Sequence, residues 1–174
     1  MVRNKTGNRM REKFPTTLIL GRGNTIAGDD GIGIYVARKI KENLPRKYAD
    51  SVSVLETSKE GPPLLDIMRE YDRVIIIDTM SYQRLPPEEI GEVLRIEYPS
   101  VKKTGVMKSP HQTNIGGIVE LAEKIGLKLP EIKIYCIKIK RAKKFSDEIS
   151  PVFKKNITKI ASEIMNSPGF LTNG

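Results

Sequence analysis

The chain has 174 residues, 39% apolar and 29% charged, a composition within the range of one ordinary globular domain and far from a fibrous or disordered one. Its longest apolar runs fall well short of the roughly 20 residues a membrane helix needs, and the basic start MVRNKTGNRMREKF has no apolar core behind it, so the expectation is a cytoplasmic protein without a secretory signal or a membrane partner. The formal net charge is +9, of which residues 1–13 supply +4, and a second basic cluster runs from Lys138 to Lys144; with no aromatic residues interleaved, this excess reads as a solvated surface and not as a nucleic-acid interface.

In chain order, residues 1–14 read as a flexible basic tail and 15–168 as a single α/β domain. TTLILG (16–21) is a short apolar run with a β-branched start, a buried strand, and GIGIYVARKIKENL (31–44) carries apolar residues at helical spacing. SVSVLET (51–57) alternates as a strand does, GPPLLDIMREY (61–71) reads as a short helix with prolines at its start, and RVIIIDT (73–79) is an apolar run ending at an aspartate, a strand buried on both faces. YQRLPPEEI (82–90) is a loop, GEVLRIEY (91–98) an edge strand and SVKKTGVMK (100–108) a further loop. SPHQTNIGGIVELAEKIG (109–126) opens with Ser at the N-cap and Pro in the first turn, and Gly126 marks its stop. EIKIYCIKIK (131–140) alternates as a strand, and ISPVFKKNITKIASEIM (149–165) repeats the Ser-Pro start as a closing helix. This order predicts a three-layer α/β/α sandwich around a twisted, mostly parallel five-stranded sheet.

In such sheets ligands gather beyond the carboxyl ends of the strands. The first strand runs into GRGNTIAGDDGIG with the adjacent Asp29 and Asp30, the third ends at Asp78, and the helix after the fourth opens with His111, the only histidine. Carboxylates and an imidazole on one rim can hold a divalent metal with coordination positions left open. The positive end of a helix dipole disfavours a protonated ring at His111, and a neutral imidazole is the form a metal needs. Taken one at a time these residues have plainer readings: a surface histidine at a helix start, an Asp capping the turn after its strand, and one of Asp29 and Asp30 capping the helix that follows.

Other chemistries fit less well. A dinucleotide fingerprint needs G-x-G-x-x-G, but three residues beyond Gly23 stands Ile26, and no Gly-Lys-Ser/Thr follows. Adjacent carboxylates would also repel a pyrophosphate at the helix start. Cys136 sits inside an alternating strand and reads as a buried apolar residue, and no G-x-S-x-G elbow exists. An aspartic dyad of Asp30 and Asp78 is conceivable, although a nearby histidine fits a metal site better.

LGRGNTIAGDDGIGIYVARKI resembles the opening block of the hydrogenase maturation proteases, which process the large subunit of [NiFe]-hydrogenases. GPPLLDIMREYDRVIIIDTM resembles their second block, SPHQTNI their histidine block, and ISPVFKKNI the start of their closing helix. The resemblance runs from about residue 17 to 165, and only YCIKIK departs from it, lacking a glycine common in many members. It implies a nickel-dependent endopeptidase, a hydrolase that removes a short C-terminal extension from the large-subunit precursor once nickel is inserted. By position, Asp30, Asp78 and His111 would bind the nickel that the substrate brings and carry the metal-assisted hydrolysis, while Asp29 caps the first helix and Asn24 orders the loop. The alternatives are a nucleotide-binding α/β enzyme and a non-catalytic chaperone of the nickel-loaded subunit; the oligomeric state is left open.

Overall fold

The computed structural model describes residues 15–59, 61–97, 115–141 and 148–172. Strand β1 (Thr17–Arg22) is buried along its whole length and lies inside the sheet. It is followed by a tight helical turn, Gly28–Gly31, which runs directly into α1 (Ile32–Asn43). Then come β2 (Val52–Thr57), α2 (Pro63–Met68), β3 (Arg73–Tyr82), β4 (Val93–Glu97), α3 (Ile115–Lys124), β5 (Glu131–Lys140) and α4 (Pro151–Asn166).

The five strands form one sheet in the order β2-β1-β3-β5-β4. All neighbours are parallel except the edge strand β4, which runs antiparallel to β5. The sandwich and the mostly parallel five-stranded sheet are as the alternation of elements predicts. Period-two alternation sorts the side chains of the central strands onto two faces. Leu18, Leu20, Val74 and Ile76 pack against α2 and α3. Ile19, Ile75, Ile77 and Ile137 pack against α1 and α4. Each face is thus a dry layer between sheet and helices, which is why the central strands read as unbroken apolar runs.

Two helix boundaries follow from local chemistry. Gly126 adopts φ +70°, its N–H donates to Glu123 O, and Leu127 N–H donates to Ala122 O, the two-bond closure of a Schellman motif. At the other end of the chain Ser150 occupies the N-cap and Pro151 the first position of α4, as the Ser-Pro pair predicts. The matching start at residues 109–110 lies outside the described residues, as do the basic tail, the loop 100–108 and the end of the second basic cluster from residue 142 on.

Beyond α4 the chain folds back onto the sheet. Phe170 is buried and meets the ring of Tyr135 edge-on at 6.1 Å, while the Tyr135 hydroxyl pairs with Ser167 Oγ at 2.6 Å. Arg95 donates to Pro168 O at 2.6 Å and Lys133 Nζ to Gly169 O at 2.5 Å, so two cations hold the carbonyls of this segment.

β3 corrects one boundary. It does not end at Asp78 but continues to Tyr82, because β5 keeps pairing with it as far as Tyr82 and Lys140. The β1 ladder, in contrast, stops at Gly21 and Ile77. Asp78 therefore stands where β3 has lost its neighbour on one side and kept it on the other.

Candidate active site at the carboxyl rim

β1 connects to β2 on one side of itself, and β2 connects back past it to β3 on the other. The carboxyl ends of β1 and β3 are therefore a topological switch point, where doubly wound sheets open a crevice. The start of α1 is pressed into this gap. A Cβ added at Gly33 would stand 2.3 Å from Arg22 O and 2.5 Å from Ile77 O, and one at Gly21 would meet Ala37 Cβ at 2.6 Å. The glycines thus serve close approach of helix to sheet. Asn24 orders the turn between them as expected: its Oδ1 accepts from Ile26 N at 3.1 Å and its carbonyl from Ala27 N at 3.0 Å.

Arg22 and Asp78 face each other one step beyond the last paired residues of β1 and β3. Arg22 Nη1 donates to Asp78 Oδ2 at 2.7 Å, with side-chain exposures of 6% and 17%. Oδ1 of Asp78 accepts from Thr79 N at 2.8 Å. The hydroxyl of the buried Thr79 in turn donates to Asp30 Oδ1 at 3.3 Å, so the carboxylates of β3 and of the turn after β1 stand at one rim. His111 lies outside the described residues, and only the two aspartates of the predicted set are placed. As hard oxygen donors on neighbouring segments they fit a divalent cation as part of a coordination shell.

Asp29 behaves differently from its sequence expectation. Neither it nor Asp30 caps α1, because both sit inside the Gly28–Gly31 turn that passes unbroken into the helix, whose own N-cap is Gly31. The Asp29 carboxylate instead accepts the backbone N–H of Ser150 at 2.7 Å. In a capping box that N–H is satisfied by an acidic or amide side chain three residues into the helix. In α4 that position is Phe153, which cannot do it, and Asp29 supplies the acceptor from 121 residues away. Ser150 Oγ is buried and makes no hydrogen bond among the described residues. Asp29→Ala is expected to cost about 1 kcal/mol, a typical capping value, and to lower Tm by roughly 2–4 °C, measured by calorimetry; an unchanged Tm would show that the bond contributes nothing.

Cys136 pairs in register with Asp78 on β5, and burial pushes its thiol up to about 12, with the Asp78 charge adding to the effect. A thiol held protonated in this way is no nucleophile at neutral pH, in keeping with its reading as a core residue. Arg22 was not among the sequence candidates, though its parity with Leu18 and Leu20 turns it toward the same face as Asp78 and marks a charge entering the interior.

An α/β protein whose switch point carries carboxylates, with no glycine cradle for phosphate, is the class that fold and site define. A sequence model of the hydrogenase maturation proteases matches residues 34–167, and the chain belongs to that family. It is 33% identical over 112 residues to the hydrogenase expression/formation protein HupD of Bradyrhizobium diazoefficiens, a match covering 63% of this chain and 55% of the relative. The chain spans about half the length of the curated relatives it matches first. Among solved structures, the hydrogenase maturating endopeptidase HybD from E. coli superposes with a TM-score of 0.67 at 21% identity, covering 85% of this chain and 88% of that one. The [NiFe] hydrogenase maturation protease HybD from Thermococcus kodakarensis gives 0.62 at 26% identity, over 86% and 96%.

Proposed function

We propose that this protein is a processing endopeptidase that removes the C-terminal extension of a [NiFe]-hydrogenase large-subunit precursor after nickel has been inserted. The observation that carries this reading is the pair of carboxylates, Asp30 and Asp78, linked through Thr79 at the switch point of a hydrogenase maturation protease fold. In this reading nickel belongs to the substrate. Asp30, Asp78 and His111 complete its coordination and so dock the scissile bond at the rim. A metal so placed supplies Lewis acidity, toward the peptide carbonyl or toward a water.

The chain's own residues have separate tasks. Thr79 holds Asp30 through its hydroxyl and Asp78 through its backbone N–H, which sets the two carboxylates relative to each other. Asp29 ties the same turn to α4. The thiol of Cys136 is buried and protonated and takes no nucleophilic part. Among the described residues no helix is long and apolar enough to cross a membrane, which suits a protein that meets its precursor in solution; the cytoplasm is the compartment we infer.

The test is incubation of the full chain with nickel-loaded and with metal-free precursor, followed by intact-mass analysis of the large subunit. Loss of the C-terminal peptide from the nickel-loaded precursor alone is the expected result. An unchanged mass would sink the protease reading, and stable binding without cleavage would replace it with a chaperone. Equal cleavage of both precursors would remove the nickel dependence.

A further inference from the structure

The rim holds a charge that a simple cation site would not contain. Arg22 is 5% exposed, and its guanidinium contacts Asp78 through a single nitrogen, Nη1, at 2.7 Å. Its Nε is buried without a hydrogen-bond partner among the described residues. An Arg–carboxylate pair is strongest when two parallel N–H donors meet two oxygens, and here the second oxygen of Asp78 is turned to the backbone of Thr79. Asp78 is therefore held by Arg22 but not locked to it. The guanidinium is itself withdrawn from water, with only 6% of its side chain exposed.

Any ion that Asp78 binds must sit beside this fixed positive charge. A hydrated divalent cation brings +2 and meets repulsion at short range in a partly desolvated site. A metal centre that already carries anionic sulfur ligands brings a neutral or negative total charge, and for it the same guanidinium is attractive or neutral. On the reading proposed above, we infer that Arg22 is a charge filter: it makes the Asp30–Asp78 rim discriminate against free divalent ions and in favour of metal delivered with anionic ligands. Specificity of this kind works by building repulsion against the wrong partner.

The experiment is titration calorimetry of nickel chloride into the full-length protein as wild type, Arg22→Gln, Arg22→Met, Arg22→Lys and the double variant Arg22→Gln/Asp78→Asn. Removing the charge is expected to tighten free-nickel binding at least ~10-fold, the size of an interaction between close charges that is only partly screened. The Lys variant, which keeps the charge, should bind as weakly as wild type, and the double variant should lose the gain. Two neutral replacements are used so that misfolding of one, seen by circular dichroism, leaves the other to decide. Binding by both neutral variants no tighter than wild type, or a gain that survives loss of Asp78, overturns the filter. Precursor cleavage by wild type without a gain in the neutral variants would sink the filter alone. A gain without any cleavage would sink the processing reading alone.

Discussion

Asp78→Asn is expected to abolish processing of nickel-loaded precursor, with a loss of more than about 100-fold. Even residues that only orient a metal's ligands cost 10–100-fold when removed, and Asp78 is proposed to touch the metal itself. Asparagine keeps the shape and an acceptor for Thr79 N but removes the charge opposite Arg22. Because that guanidinium is buried, the variant should also be less stable, toward the lower end of the roughly 3–5 kcal/mol that follows loss of one partner from a buried pair. Asp30→Asn separates the two effects. Among the described residues its carboxylate has one long bond to Thr79 and no ion pair, so activity should fall as far while the melting temperature hardly moves. Near-normal cleavage by either variant, or by His111→Ala, measured against the wild-type rate, would strike that residue from the proposed ligand set.

Gly33→Ala should give the largest effect on the fold. The new Cβ would stand 2.3 Å from Arg22 O and 2.5 Å from Ile77 O, and both obstacles are backbone. No flexible side chain can swing aside, so α1 must lift from β1 and β3 or the strands must part. The cost is expected at the upper end of overpacking penalties, about 3 kcal/mol or more, which corresponds to a fall in Tm of roughly 6–12 °C for a chain of this size. Calorimetry of the purified variant checks it. A shift of only a degree or two would mean that the helix is not seated on the sheet as tightly as the geometry requires. The same displacement would move the Gly28–Gly31 turn, and with it Asp30.

Where residues act through near neighbours, the fold was readable in advance. Unbroken apolar runs marked the doubly covered strands β1 and β3, alternation marked β5, and the Ser-Pro pair and Gly126 marked a helix start and stop. The extension of β3 past Asp78 was not readable, because TMSY has no apolar run and is held as a strand only by its pairing with β5. At the site, Asp30, Asp78 and His111 are legible as candidates for one rim; the two aspartates stand there, linked through Thr79, and His111 lies outside the described residues. What joins them was hidden. The Thr79–Asp30 bond spans 49 residues and the Arg22–Asp78 pair 56; strand parity places Arg22 on the face of Asp78, but local spacing names neither partner. Asp29 shows the limit most clearly: short-range capping rules assign it to the adjacent helix, while the chain uses it on the last one.

Asp29 and Asp30 are neighbours in one rigid turn, and the first is fastened to the far end of the sequence. The rim is thus braced from α4 through Asp29 as well as from β3 through Thr79. Local opening costs less than global unfolding, and helix ends open first. When α4 frays at Ser150, the turn loses that brace and Asp30 is left to its bond from Thr79, while β1, β3 and β5 still hold the sheet together. On the processing reading, heat is expected to loosen the rim before it melts the sheet, so that loss of processing on warming precedes loss of the fold.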